Sequence, residues 1–277
     1  MLQLAGIAVD ALSLGGLETC IQVPGWDLCF DIGRCPRSAV NQRHVLFTHA
    51  HMDHMGGVAF HAATRGMRGM PPPTYLVPRE NAKAFGELFA AWRKLDRSRL
   101  AHDVVVLGPG DEYRLPNRHI VRPFRSPHRV PCQGYGIWSV RNRLRPEFHG
   151  LPGREIARLR KEEGVQVSEP FEAPELCFTG DTKIDVIERE PVVGQAKVLI
   201  MEITFVDDRV SVAQCRSKGH IHLDEIAERA ELFQNQAILF THFSARYSQR
   251  DILRNMDAKL PPDLRERVTP LVSSLRP

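Results

Sequence analysis

Thr48-His49-Ala50-His51-Met52-Asp53-His54-Met55-Gly56-Gly57 puts four groups able to bind a metal within six residues. The stretch follows the apolar run Val45-Leu46-Phe47 and ends in a glycine pair that can open a helix. A strand that stops and turns here can bend His49, His51, Asp53 and His54 toward one point. Imidazole nitrogens with a carboxylate are donors that a borderline cation such as Zn²⁺ accepts. The alternative, a polar loop merely rich in histidine, leaves the His-x-His-x-Asp-His spacing without a reason.

The surrounding chain is ordinary for a globular protein: 277 residues, 43% hydrophobic and 25% charged, which excludes disordered and collagen-like classes. A net charge of +4 permits a polyanionic partner without demanding one. The six cysteines (Cys20, Cys29, Cys35, Cys132, Cys177 and Cys215) form no Cys-x-x-Cys pair and several sit in apolar runs, so free thiols in a reducing compartment are expected. Met1 to Asp10 has no basic residue ahead of its apolar stretch, and no apolar segment approaches membrane-spanning length. A cytoplasmic protein without a membrane contact is the expectation.

Along the chain, Glu18–Val23 and Trp26–Ile32 flank Pro24-Gly25 as a hairpin, and Arg43–Thr48 is a buried strand followed by a helix over Gly56–Thr64. A second helix is predicted over Arg79–Leu95, with Ala82, Phe85, Phe89 and Trp92 as its core stripe. Strands are predicted at Tyr75–Val77, Val104–Leu107, His119–Phe124 and Gly134–Val140. Further strands are predicted at Leu176–Phe178, Lys197–Phe205, Ala237–Thr241 and Val268–Val272. Helices are predicted over Arg154–Glu163, Leu223–Phe233 and Gln249–Leu260. No linker or repeat divides residues 1–277, so one domain of two face-to-face sheets with helices outside satisfies the order, with a short basic insertion around 141–172.

His128, Asp181 and His242 also fall at or just past predicted strand ends, so the strand ends along one sheet edge can gather seven donors: His49, His51, Asp53, His54, His128, Asp181 and His242. That is enough for two zinc ions with open positions. His44, His61, His102, His119 and His149 fit no ligand spacing and read as surface or hydrogen-bonded structural residues. His222 reads as a helix start.

With its Thr-His-Ala-His-Met-Asp-His run, spaced His128, Thr179-Gly180-Asp181-Thr182 turn and late His242, the sequence resembles the metallo-β-lactamase superfamily. Within it, Thr241-His242-Phe243-Ser244-Ala245-Arg246-Tyr247, Glu202-Ile203-Thr204-Phe205 and Gly219-His220, read as opening a helix, resemble ribonuclease Z. The resemblance implies an αββα sandwich of two mixed sheets. It implies His49, His51 and His128 on one zinc, Asp53, His54 and His242 on the other, and Asp181 between them; Mn²⁺ or Fe²⁺ could substitute. Two such ions lower the pKa of a water to about 7 and neutralise a phosphoryl oxygen. Asp53 would orient that water or take its proton.

The resemblance further implies that His220, assisted by Glu202, protonates the leaving oxygen of a phosphodiester, a role suited to an imidazolium held by a carboxylate. Ser244, Arg246 and Tyr247 could contact phosphate, with a cap on the next helix as the structural alternative. The implied substrate is precursor transfer RNA cut on the 3′ side of the acceptor stem, and the implied assembly a homodimer. Members of the family carry a long RNA-gripping arm between the third histidine motif and the bridging aspartate. Here the interval from Gln133 to Thr179 is short, although Arg141, Arg143, Arg145, Arg154, Arg158, Arg160 and Lys161 could meet phosphates. The family's His-Glu-Ala-Thr reads Met201-Glu202-Ile203-Thr204, and Asp31-Ile32-Gly33-Arg34-Cys35-Pro36 lacks the usual acid, departures that bear on substrate docking. A small or cyclic phosphodiester is therefore the alternative substrate. More distant readings are a lactonase or thioesterase and a non-catalytic RNA-binding or scaffold protein.

Overall fold

Two seven-stranded sheets of matching design make up the computed structural model, which describes residues 1–273. The first holds β1 (Leu2–Leu4), β2 (Ile7–Leu14), β3 (Glu18–Val23), β4 (Leu28–Phe30), β5 (His44–Leu46), β6 (Thr74–Pro78) and β7 (Asp103–Leu107) in sequence order. The second holds β8 (Tyr113–Arg114), β9 (His119–Arg125), β10 (Gln133–Leu144), β11 (Ser168–Phe178), β12 (Val198–Glu202), β13 (Ala237–Thr241) and β14 (Val268–Pro270). In each sheet the first four strands pair antiparallel and the last four parallel. Parallel strands need crossovers, and these supply the helices.

The crossovers carry α1 (Met52–Met55), α2 (Val58–Met67) and α3 (Ala82–Asp96) on the first sheet. Helix α4 (Gly153–Lys161) lies between β10 and β11. The second sheet's crossovers carry α5 (Val186–Arg189), α6 (Pro191–Gln195), α7 (Val212–Lys218), α8 (Leu223–Ala227), α9 (Gln249–Lys259) and α10 (Pro262–Arg267).

Alternation along the strands splits the apolar residues between layers. Ile21, Phe30, Leu46 and Leu76 meet Val121, Ile137, Phe178 and Ile200 between the sheets. Val45, Phe47, Tyr75 and Val77 face outward under Phe85 and Phe89 of α3, while Leu199, Met201 and Phe240 face Ile226, Ile252 and Met256 of α8 and α9. Central strands must therefore be apolar on both faces, as Val198-Leu199-Ile200-Met201 is. The result is the expected layered sandwich. All six cysteines are buried free thiols.

Three expectations are corrected. Trp92 is 42% exposed and Ala82 only half-buried, so the core stripe of α3 reduces to Phe85 and Phe89. Trp92 instead lines a groove beside α3 together with Leu88, Ala50, Met52 and Met55. Gly219 does not open a helix: it caps the end of α7 in the left-handed conformation (φ 82°), and the next helix begins with His222 as its N-cap. The helix expected through Phe233 stops at Ala227 and gives way to a 3₁₀ turn, Ala230–Leu232.

The 141–172 segment is the outer part of the β10–β11 ribbon, closed by α4. It contains seven Arg and Lys but also six Glu. Arg141 pairs with Glu175, Arg143 with Glu169, Arg145 with Glu147, and Arg158 with Glu155 and Glu163. Arg154, Arg160 and Lys161 are exposed and have no ion pair among the described residues, so the basic face is neutralised only in part. Among the described residues no helix is long and apolar enough to cross a membrane.

Candidate active site

The four-donor stretch leaves β5 and turns into α1, with His51 as N-cap, Asp53 in the first turn and His54 in the last. The other chemical groups arrive from the second sheet: His128 beyond β9, Asp181 beyond β11, Glu202 at the end of β12 and His242 just past β13. Packing the sheets face to face brings both sets to one edge. The donor atoms of His49, His51, His128 and Asp181 lie within 4.8 Å of one another, and so do those of Asp53, His54 and His242.

Asp181 faces both groups. Its Oδ1 is 3.4 Å from His54 Nε2 and 3.4 Å from His242 Nε2, while Oδ2 is 3.8 Å from His49 Nε2 and 4.0 Å from His128 Nε2. Asp53 Oδ2 completes the second group at 3.6 Å from His54 Nε2 and 3.5 Å from His242 Nε2.

The other ring nitrogens are committed elsewhere. Hydrogen bonds assign Nδ1–H of His54 to Asp31 Oδ2 (2.7 Å), of His128 to the Gly219 carbonyl (2.8 Å), of His242 to Thr204 Oγ1 (3.0 Å) and of His49 to Thr48 Oγ1 (3.0 Å). Each tautomer leaves Nε2 as a lone-pair donor pointing into the cluster. His54, His128 and His242 Nε2 are buried without a hydrogen-bond partner. His49 Nε2 faces His51 Nδ1 at 2.9 Å, two nitrogens that need a proton or a cation between them. Orphaned buried nitrogens beside carboxylates fit divalent cations.

The electrostatics agree. Burial disfavours the charge on His49, His51 and His128 and lowers all three. Although burial opposes it, the carboxylates of Asp181 and Asp31 hold His54 well above its ordinary value. Burial likewise opposes charge on Asp181, yet His242 and His54 hold its carboxyl well below the carboxylate range, and His242 and His54 do the same for Asp53. The cluster demands positive charge at its centre.

Beside it stands a proton-handling pair. His220 Nδ1 donates to Glu202 Oε1 at 2.8 Å, and its ring stacks 5.4 Å from that of His242. Glu202 also accepts from the Thr182 amide (2.9 Å) and from Thr204 Oγ1 (2.5 Å), so a fully buried carboxylate is satisfied. Burial pulls His220 down, but the Glu202 carboxylate more than offsets this and raises it to about 9. The imidazolium is thus the form at neutral pH.

The remaining predicted residues separate. Arg246 is exposed, lies 5.2 Å over the Phe205 ring and donates to Ser244 Oγ at 3.0 Å. Tyr247 is buried, its hydroxyl accepting from the Val206 amide at 3.4 Å. His222 caps α8, and His44, His61, His102, His119 and His149 hydrogen-bond to neighbours away from the donors.

Several contributors had no sequence signal. Thr48 and Thr204 are hydroxyls at strand ends, and the Gly16 amide donates to Asp53 Oδ2 at 3.0 Å from the turn between β2 and β3. Asp31 was visible only as part of a family motif. Gly219 has a backbone reason: besides its positive φ, a Cβ there would stand 2.8 Å from His128 Nδ1. His242 itself is left-handed (φ 59°), its amide donating to Ser13 Oγ at 3.1 Å.

Residues 24–243 match the family model of the beta-lactamase superfamily domain. The tRNase Z TRZ1 of Arabidopsis thaliana is 44% identical over 269 residues, covering 96% of this chain and 95% of that one. Among solved structures, the metallo-beta-lactamase fold protein YhfI of Bacillus subtilis superposes with a TM-score of 0.65 at 14% identity, covering 96% of each chain. Human tRNase Z, short form, superposes with a TM-score of 0.55 at 18% identity, covering 96% of this chain and 90% of that one. Sequence identity and a shared fold converge with the donor geometry: the chain belongs to the tRNase Z family of the beta-lactamase superfamily and is a hydrolase of that family.

Proposed function

We propose that this protein is a dinuclear zinc phosphodiesterase that cuts precursor transfer RNA on the 3′ side of the acceptor stem, leaving a 3′ hydroxyl. The observation that carries the reading is Asp181, whose two oxygens face two separate donor groups. His49, His51 and His128 would hold one ion, Asp53, His54 and His242 the other, and Asp181 both. When bound, the ions supply Lewis acidity toward a phosphoryl oxygen and acidify water.

The chain's own residues do the rest. Asp53, held by the Gly16 amide, orients the attacking water and accepts its proton. His220, kept protonated by Glu202, delivers a proton to the leaving 3′ oxygen. Arg246 offers its exposed fork of donors to a phosphate beside Ser244, while Tyr247 braces their loop from within.

Zinc-loaded protein given a 3′-extended transfer RNA should release the trailer as one fragment. Hydrolysis of an aryl phosphodiester with the RNA left intact would instead support a small or cyclic phosphodiester, the reading favoured by the short 141–172 ribbon. The metal identity is checked by elemental analysis of protein purified without chelator, with two zinc per chain expected. The homodimer implied by the family is read out by sedimentation velocity.

A further inference from the structure

The donors of the second group come from opposite sheets: Asp53 and His54 follow β5 of the first, and His242 follows β13 of the second. The β2–β3 hairpin of the first sheet reaches both. Its Gly16 amide donates to Asp53 Oδ2 at 3.0 Å, and Ser13 Oγ accepts from the His242 amide at 3.1 Å. Between them, the Gly15 amide donates to the Phe243 carbonyl at 3.0 Å and the Gly15 backbone bridges to Ser244. The approach demands glycine, since a Cβ on Gly15 would stand 2.8 Å from the His242 carbonyl oxygen and 3.3 Å from its Nδ1.

The hairpin also holds Ser13 in place. Its hydroxyl shares a hydrogen bond with Thr19 Oγ1 at 3.1 Å, directly opposite in the β2–β3 register. Both residues are buried, so bulk water does not compete for these bonds. A non-glycine residue keeps a left-handed backbone only where its surroundings fix it, and His242 has φ 59°. Held in this way, its Nε2 stands 3.5 Å from Asp53 Oδ2 and 3.4 Å from Asp181 Oδ1.

The first group hangs on other bonds. His49 leans on Thr48, whose carbonyl accepts from the Gln133 amide at 3.0 Å, and His128 leans on the Gly219 carbonyl. Among the described residues, the bonds of Ser13 Oγ and of the Gly15 and Gly16 amides all run to Thr19 or to the segments carrying Asp53 and His242.

We infer that Ser13, with the Gly15-Gly16 turn, is a positioning element for the second donor group alone and sets the affinity of the ion held by Asp53, His54 and His242. This rests on the two-ion reading of the site. None of the three residues offers a ligand to the ion; they act by fixing the backbone of His242 and the carboxylate of Asp53. Without the Ser13 hydroxyl, ion binding must itself order the His242 segment, and the cost appears as weaker affinity.

Zinc titrations against a competing chelator test this, with His242→Ala and His128→Ala marking which of the two constants belongs to which group. Ser13→Ala should weaken the constant marked by His242→Ala by about 10- to 100-fold and leave the other in place. Gly15→Ala, which keeps the hydroxyl but pushes on the His242 carbonyl, should weaken the same constant. Ser139→Ala removes a buried hydroxyl and its bond to Glu175 from β10, and it should alter neither. Equal weakening of both constants in Ser13→Ala, or of neither, would overturn the proposal. Amide exchange reads the same device in metal-free protein: the His242 amide should exchange faster in Ser13→Ala, and unchanged protection would also overturn it. If wild type binds one ion only, the two-ion reading fails by itself; the role of Ser13 then stands if Ser13→Ala weakens that ion as His242→Ala does, and falls if it does not.

Discussion

The two halves of the site are built differently. The first sheet contributes His49, His51, Asp53 and His54 from one six-residue stretch, positioned by chain adjacency and a single helical turn. The second contributes His128, Asp181, Glu202, His220 and His242 from separate connections: Asp181, Glu202 and His242 stand where the parallel β11, β12 and β13 align their ends, His128 follows the antiparallel β9, and His220 follows α7. A local half keeps its shape when its neighbours move; a dispersed half depends on sheet register, and it carries both the bridging carboxylate and the proton donor.

The comparison is tested most severely at Asp181. Asp181→Ala removes the group facing both clusters, and it should lose metal as well as essentially all turnover, by about three orders of magnitude or more. Elemental analysis beside kcat checks this. His220→Ala should keep the metal content of wild type and lose roughly 10²- to 10⁴-fold in kcat. Equal metal loss in both variants would erase the distinction between bridging and proton-handling roles.

Thr204→Val takes a hydroxyl from between Glu202 and His242. It should cost roughly 10- to 100-fold in metal affinity or activity, which Thr204→Ser should restore. A Val variant as active as wild type would make this hydroxyl a bystander.

The pH profile is a finer probe. Because His220 is raised to about 9, its charged form is complete below its ordinary value and is lost as pH climbs through about 9. The donor function, and the stability from its pair with Glu202, should fade over that same alkaline range. In Glu202→Gln the alkaline limb should move to lower pH by a unit or more, and an unmoved limb would exclude Glu202 as the cause. The smallest effect is expected at Gly219→Ala, where a left-handed residue and a crowded Cβ should cost about 1 to 2 kcal/mol by urea unfolding.

How much of this could be read from the chain follows the same division. His49 to His54 declared themselves by spacing, and the dispersed ligands by recurring at strand ends. Thr48 and Thr204 did not, because a hydroxyl at a strand end has no pattern until its partner is known, and Thr204 meets His242 across 38 residues. Trp92 fitted the helical stripe and is still exposed, because periodicity does not reveal that it faces a groove beside Ala50 and Met52. Arg143 and Arg158 looked basic because their neutralising partners, Glu169 across the ribbon and Glu163 around the helix end, are visible only once the backbone is folded.

The distance along the chain between His54 and His242 has a temporal consequence. During synthesis at roughly 5 to 20 residues per second, the first four donors leave the ribosome tens of seconds before β13 delivers the last. At the start of that interval the nascent chain offers only His49, His51, Asp53 and His54; His128 and then Asp181, the carboxylate that joins the two groups, follow, and the second group stays incomplete until His242. Cation capture by the full donor set therefore waits until both sheets have closed, which makes it a late report that the C-terminal strands are in register.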